Sequence, residues 1–431
     1  MNNKYSDYIC IRPFSEAQIM ANGDVLGCCP SWVNNYKLGN LKKKSLKEIW
    51  NDKPAQEFRK SILDGSFRFC NENSCPMLQS KKDEVLHRSE LENAWWPEII
   101  DDIKHEKTIL SHDPLHYQLA YDRSCNLSCP SCRPELIYAV GDERKMIDAF
   151  QKEITSNIKT ARRITVTPSG DAFASITFRN FLINLKESDA PNLNGINILT
   201  NGILLKKYWN ELSEYTRSKI TCISVSIDAT TKELYEKIRR GGSFETLIEN
   251  LEFIRDNIKL DHFCISTVIQ KDNYHQLSDF ISFAKKFKCN KVQYQIFEPD
   301  FRIWGEHSYI NEWKDKAIQE KTHPLYNDFK KYVDSIQLNN HNMEIDFGPL
   351  LKLKQGFDIS QLDTVEIEYK KYWSDDIKQV WYNDEVHSVK INHFKKVVIN
   401  EKETDCVYLD KIKIYVYWND DKKQWVDMNE N

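Results

Sequence analysis

Glycine is scarce in this chain, 13 of 431 residues, so each one is more telling than usual about where the backbone needs its freedom. No uninterrupted apolar run approaches the ~20 residues of a membrane helix, which argues against a spanning segment. Neither sign of charge dominates. Sixty basic residues face 64 acidic ones, a formal net charge of -4, which leaves no electrostatic footprint for nucleic acid. The opening MNNKYSDYICIRPF lacks the basic-then-apolar order of a secretory signal, so a cytoplasmic protein is expected. There is no Walker-type loop, no H-E-x-x-H and no G-x-S-x-G, and the chemistries those motifs carry lose their support.

What is present is an ordinary globular composition, 41% hydrophobic and 29% charged, too apolar for a disordered chain. At about 150 residues per domain, this length implies two or three domains. Cysteine is the unusual entry, with 12 residues unevenly spread. Cys10, Cys28, Cys29, Cys70 and Cys75 lie near the start; Cys125, Cys129 and Cys132 form a tight triplet; Cys222, Cys264, Cys289 and Cys406 are isolated. Without a secretory signal, such clusters point to metal or cluster ligands before disulfides.

The pattern divides the chain into residues 1–80, a charged connector 81–114 containing Trp95 and Trp96, an alternating region 115–308, and a helical then β-rich region 309–431. In the first part, IMANGDVLGCC reads as two short strands about an Asn22-Gly23 turn. A helical stretch follows, with Ser45 as its cap and Gly65 as its stop. The connector is expected to be helical. The alternating region offers strands at Gln118–Asp122, Arg163–Thr167, Gly195–Thr200, Thr221–Ile227, Phe263–Ile269 and Lys291–Phe297. Between them, Met146, Phe150, Ile154 and Ile158, and then Leu277, Phe280, Ile281, Ala284 and Phe287, follow helical spacing. The expected fold class is therefore α/β, a partial (β/α)6 barrel with a parallel sheet and crossover helices. Towards the end, KIKIYVYWNDDKKQWVDM reads as a hairpin turning at Asn419-Asp420-Asp421.

Cys125-Asn-Leu-Ser-Cys129-Pro-Ser-Cys132 is C-x3-C-x2-C, placed just after the first expected barrel strand. Three thiolates so close together can each hold one iron of a four-iron cluster and leave the fourth iron open. On spacing alone, a zinc site with His112 or His116 as fourth ligand remains an alternative. Pro114 between these histidines opposes a helix that would put both on one face.

The motifs that follow change the balance. Pro168-Ser-Gly170-Asp171, Thr200-Asn201-Gly202, Ser224-Val-Ser226-Ile-Asp228, YEKIRRGGSFETLIENL and Val268-Ile269-Gln270 each stand at or after the end of an expected strand. With the triplet, this series resembles the radical S-adenosylmethionine (SAM) superfamily over about 115–297. Ser131 stands where an aromatic is common, and Asp171 where glutamate is usual. The resemblance implies a SAM-binding [4Fe-4S] cluster on Cys125, Cys129 and Cys132. It also implies cofactor contacts from Gly170 and Asp171 to the methionine amine, and from Ser226 and Asp228 to the ribose. Arg239 or Arg240 would meet the methionine carboxylate, and Gln270 would lie near the adenine. The implied chemistry is reductive cleavage of SAM to a 5′-deoxyadenosyl radical, which takes a hydrogen atom from a substrate.

Cys10, Cys28, Cys70 and Cys75 form the second candidate site. Gly23-Asp-Val-Leu-Gly-Cys28, the run GNLKKKSLKEIWN and Cys70-Asn-Glu-Asn-Ser-Cys75 resemble the SPASM domain, an auxiliary four-iron module of radical enzymes that modify peptides and proteins. Here it precedes the barrel instead of following it. The resemblance implies a second, auxiliary [4Fe-4S] cluster on these four thiolates, with Cys29 as the alternative to Cys28. A structural zinc on the same residues also satisfies the spacing.

Cys222 and Cys264 fall in expected buried strands, where cysteine usually acts as a small apolar residue, and Cys289 reads as structural too. Cys406 is the one isolated cysteine with a catalytic reading, as a hydrogen-atom donor or radical relay, although its strand pattern also fits plain packing. The strands around KIKIYVYW could offer an edge to an extended peptide. The expected function is a radical SAM enzyme acting on a peptide by cross-linking, thioether formation, epimerisation or oxidation. Its partners would be the peptide and a ferredoxin- or flavodoxin-type electron donor, with no nucleic acid and no membrane. A sugar or other small molecule is the alternative substrate. An iron–sulfur electron carrier or a zinc-bound interaction protein is the alternative of another class.

Overall fold

The computed structural model describes residues 4–33, 36–72, 74–81, 83–94, 96–133, 135–297, 315–338 and 342–356, and the backbone of six strands within 377–427. By internal contacts the chain forms two units, Met1–Ile359 and Ser360–Asn431.

The first unit opens with β1 (Tyr8–Cys10), β2 (Glu16–Met20) and β3 (Asp24–Leu26), followed by the short β4 (Gly39–Asn40). The expected turn lies between β2 and β3. Gly23 sits there at φ +89°, and the Asn22 side chain accepts from the Asp24 amide at 3.0 Å. The helical stretch that follows is two helices. Leu46–Trp50 starts at Ser45, where Ser45 and Glu48 form a reciprocal capping box. Asp52 then caps Lys53–Leu63, because Pro54 suits a first turn and not a helix interior. Gly65, at φ +71°, ends the second helix. The connector is only partly helical. It contains β5 (Val85–His87), which pairs antiparallel with β1, and the helix Pro97–Lys104. Trp96 is buried, and Trp95 lies outside the described residues.

Six parallel strands then run side by side in chain order: β6 (His116–Ala120), β7 (Arg163–Val166), β8 (Gly195–Thr200), β9 (Ile220–Ser226), β10 (His262–Ile269) and β11 (Lys291–Ile296). This is the expected partial barrel, with boundaries shifted by one or two residues at most ends. In the helix Gly141–Asn157 the buried side chains are Ile147, Phe150 and Ile154, so Ile147 rather than Met146 faces the core. Leu277, Phe280, Ile281, Ala284 and Phe287 are all buried as their spacing implies.

The sheet does not stop at six strands. β12 (Glu344–Asp346) adds in parallel to β11, and β2 adds in parallel to β6, pairing Glu16 with His116 and Met20 with Ala120. With β3 and β4 beyond β2, the sheet has ten strands. The cysteine-bearing N-terminal segment is thus built onto the edge of the barrel through main-chain hydrogen bonds.

The second unit is described by its strands. β13 (Ile377–Tyr382) pairs with β14 (Glu385–Lys390), and β15 (Lys395–Ile399), β16 (Lys402–Leu409), β17 (Ile414–Asn419) and β18 (Gln424–Asp427) form an antiparallel meander. The expected hairpin is β17–β18, closing with Asn419 opposite Gln424.

Candidate active site and auxiliary metal centre

The triplet lies in the loop that leaves the C-terminal end of β6. The Cys125 amide donates to the Ile137 carbonyl at 2.8 Å and forms an isolated bridge that closes the loop. Cys132 and Arg133 amides both return to the Cys129 carbonyl, at 2.8 and 2.9 Å. Cys125, Leu127 and Cys129 form one buried cluster with Cys132 packed against it. Donors from two other segments, and one from the loop itself, reach the sulfurs. Asn201 Nδ2 lies 3.7 Å from Cys125 Sγ, Arg239 Nη1 4.0 Å from Cys129 Sγ, and Arg133 Nη2 3.4 Å from Cys132 Sγ. Burial pushes the Cys125 thiol up to about 12, and the Asp171 charge adds to the rise. Burial likewise raises the Cys129 thiol, so these two sulfurs need a bound cation or cluster to hold them as thiolates.

Gly170 and Asp171 brace this loop. Gly170 has φ +75°, and a Cβ there would meet the Ser124 carbonyl oxygen at 2.6 Å. Only glycine lets the two backbones approach so closely. The Asp171 amide donates to that same carbonyl at 2.9 Å. Its carboxylate is fully buried and engaged on both oxygens. Oδ1 accepts from the Phe173 and Ala174 amides at 2.9 and 3.1 Å; Oδ2 accepts from Thr200 Oγ1 and the Asn201 amide, both at 2.7 Å. A carboxylate has about four lone-pair sites, and four donors fill them. The expected amine contact from Asp171 therefore finds its side chain occupied by the protein. In this structure the carboxylate positions Asn201, the residue that reaches Cys125.

Asp228 and Arg239, both expected at the cofactor, face each other. Arg239 Nη2 is 2.9 Å from Asp228 Oδ2, and both side chains are nearly buried. Burial works against the guanidinium charge, but Asp228 and Cys129 outweigh it and hold the Arg239 pKa above its ordinary value. Asp228 sits at φ +54°, and its Oδ1 accepts from the Val268 amide at 2.8 Å. Arg240 turns to the cysteine loop instead, where its Nε donates to Ser128 Oγ at 3.0 Å. Ser226 Oγ and Ser266 Oγ lie 3.0 Å apart on β9 and β10. Gln270, just past β10, is 1% exposed and its Nε2 has no partner; the Tyr235 hydroxyl, Thr267 Oγ1 and Arg239 Nε are likewise buried and unpaired.

At the N-terminal site, Cys10 ends β1, Cys28 follows β3, and Cys70 and Cys75 flank a short loop. All four line one cavity with Arg12, and its wall is otherwise apolar, including Trp32, Phe58 and Phe67. Cys29 is not among the lining residues; its Sγ lies 3.2 Å from Ser31 Oγ. Burial pushes the Cys70 thiol up to about 12, and those of Cys10, Cys28 and Cys75 rise for the same first reason.

Family models match this chain twice. Residues 10–76 match SPASM, described as an iron-sulfur cluster-binding domain, and residues 122–284 match the radical SAM superfamily. The chain is a radical SAM protein. Among curated relatives, a probable GTP 3',8-cyclase of Methanococcus maripaludis is 26% identical over 231 residues, 52% of this chain and 74% of that protein. GTP 3',8-cyclase 3 of Mycobacterium bovis is 29% identical over 174 residues, 37% of this chain and 43% of that protein. Among solved structures, SuiB of Streptococcus suis bound to precursor peptide SuiA aligns with TM-score 0.38 and 16% identity over 72% of this chain, and the chain spans 66% of SuiB.

A radical SAM protein uses a [4Fe-4S] cluster with SAM, and the SPASM domain adds an auxiliary iron–sulfur centre. The residues present suit both. At the barrel, two buried sulfurs and one half-buried sulfur receive N–H donors from Asn201, Arg239 and Arg133, a donor set that favours an anionic cluster. The unpaired polar atoms of Gln270, Thr267 and Tyr235 suit a polar ligand at the strand ends. At the N-terminal site, four thiols surround an apolar cavity. Among the described residues no three His, Cys, Asp or Glu side chains converge on a position for a single metal ion.

The histidines considered for zinc are committed elsewhere. His112 Nε2 lies 3.0 Å from Asp102 Oδ2, and His116 Nε2 lies 2.9 Å from Thr165 Oγ1 with its Nδ1 3.3 Å from Glu16. His116 also starts β6, whereas the triplet follows its other end, with about 13 Å of strand between. Cys264 and Cys289 are buried and Cys222 is half-buried. Cys406 lies on β16, opposite Lys395 of β15 and Tyr417 of β17; its side chain is outside the described residues. Two residues gain significance only here. Asn201 stood in a recognised motif without a role, and Arg133 directly follows Cys132, a charge beside the triplet that the sequence displays openly. No helix among the described residues is long and apolar enough to cross a membrane.

Proposed function

We propose that this radical SAM enzyme modifies a peptide and carries an auxiliary four-iron cluster on Cys10, Cys28, Cys70 and Cys75. The observation that carries the reading is the gathering of these four thiols around one cavity, in a segment whose β2 continues the barrel sheet. That pairing of an auxiliary module with a radical barrel is the feature that resembles peptide-modifying enzymes. When bound, the barrel cluster and SAM supply hydrogen-atom abstraction initiated by one-electron reduction. Cys125, Cys129 and Cys132 would hold the barrel cluster, Asp171 would position Asn201 against it, and Gln270 would meet the nucleoside. Cys406 is the candidate hydrogen-atom donor.

A second reading has a specific source. The curated relatives named GTP 3',8-cyclases act, by their names, on a nucleotide, so a small-molecule substrate is the competitor. The test incubates the anaerobically reconstituted protein with SAM and dithionite, together with either short peptides encoded beside its gene or GTP. A mass change in a peptide supports the proposal; turnover of GTP with no peptide product overturns it. The variant with Cys125, Cys129 and Cys132 all changed to Ala should form no 5′-deoxyadenosine, and continued formation would overturn the assignment of the SAM-cleaving cluster to this triplet.

A further inference from the structure

The auxiliary cavity contains one residue that its ligand pattern does not explain. Arg12 lines the cavity two residues after Cys10, with an otherwise apolar wall around it. Two carboxylates fix the guanidinium: Nη1 donates to Glu16 Oε1 at 2.9 Å and Nη2 to Glu84 Oε1 at 3.2 Å. Its flat face lies over the Trp32 ring, 4.9 Å from the centroid. These contacts hold the fork and leave one of its three nitrogens without a partner. Arg12 Nε is buried and has no partner. A buried N–H without an acceptor is costly, about 1–3 kcal/mol, so a native fold rarely keeps one without use for it. Neither Glu16 nor Glu84 is among the cavity's lining residues. The cation therefore stands at the wall and its counter-charges behind it.

We propose that Arg12 tunes the auxiliary cluster: its Nε–H donates to a cluster sulfur, and its charge raises the cluster's reduction potential. The proposal rests on the assignment of that cluster to Cys10, Cys28, Cys70 and Cys75. Reduction adds one electron to a buried anionic group. A fixed positive charge and an N–H directed at sulfur stabilise the reduced form more than the oxidised one, and an apolar wall weakens the screening between them. The three contacts with Glu16, Glu84 and Trp32 keep the guanidinium in place, so little ordering cost remains when the cluster binds.

The experiment uses the full chain with Cys125, Cys129 and Cys132 changed to Ala, so that only the auxiliary cluster remains. Iron per chain is counted, and the midpoint potential is read by electron paramagnetic resonance on samples poised with dithionite and mediators. Arg12→Gln should retain the iron and move the potential to a more negative value. Arg12→Lys keeps the charge but loses the planar fork and should move it less. An unchanged potential in Arg12→Gln overturns the proposal. If Arg12→Gln holds no iron, Arg12→Lys decides: a negative shift supports the contact, and an unchanged potential overturns it. Loss of iron from both variants, in chains that keep their circular dichroism, makes Arg12 a builder of the pocket and also overturns it. If the parent itself binds no iron, the cluster assignment has failed and not the role of Arg12.

Discussion

Arg239 and Asp228 form a buried ion pair with Arg239 Nη2 2.9 Å from Asp228 Oδ2, and the other arm of the same guanidinium lies 4.0 Å from Cys129 Sγ. The pair joins the end of β9 to the cysteine loop. Asp228→Asn keeps a side chain tolerant of the left-handed backbone at φ +54° while removing the charge. Leaving a buried cation without its partner costs about 3–5 kcal/mol. We expect the iron-free variant to unfold at clearly lower urea than the parent. A midpoint unchanged from the parent would mean that the pair is not formed in solution.

Asp171→Asn should damage the same loop from its other side. The amide group must replace one oxygen, and at least one main-chain N–H then faces an NH2, whether from Asn201 or from Phe173 and Ala174. Each buried group left unpaired costs about 1–3 kcal/mol. The conservative Asp171→Glu should fail to rescue, because an added methylene has no room in a fully buried site. SAM binding by calorimetry checks both variants. Full affinity in Asp171→Glu would instead support a direct cofactor contact by the acid.

Gly170→Ala brings strain from two sources. The left-handed backbone alone costs about 1–2 kcal/mol for a residue with a side chain. The new Cβ would also meet the Ser124 carbonyl oxygen at 2.6 Å. The cysteine loop must move away, and barrel iron should fall while auxiliary iron remains. Equal loss at both sites, by iron analysis combined with spectroscopy of each cluster, would point to global unfolding rather than this local contact.

The choice between two adjacent thiols is directly measurable. Cys28 lines the cavity with Cys10, Cys70 and Cys75, whereas Cys29 is turned towards Ser31. Cys28→Ala should lose most of about four irons, the content of one [4Fe-4S] centre, and Cys29→Ala should keep them. The reverse result would reassign the ligand.

The sequence by itself determined the alternation of strands and helices, because hydrophobic period and chain length record which face each segment buries. The strands from β6 to β11 were legible to within about two residues. So were both cysteine groups, since ligand spacing along a loop is a local property. Helical spacing misassigned Met146 for Ile147, as a period alone does not fix which of two adjacent apolar residues turns inward. The joining of β2 to β6 was invisible, because parallel pairing between segments about a hundred residues apart leaves no local pattern. Tertiary structure alone decided the partners of charged groups. The resemblance implied cofactor contacts for Asp171, Asp228 and Arg239, and folding also brings them together with the protein groups that fix their side chains. Tertiary structure also separated Cys28 from Cys29 and brought Arg12 to the cavity wall. Such choices depend on direction and distance across the chain, which residue order does not encode locally.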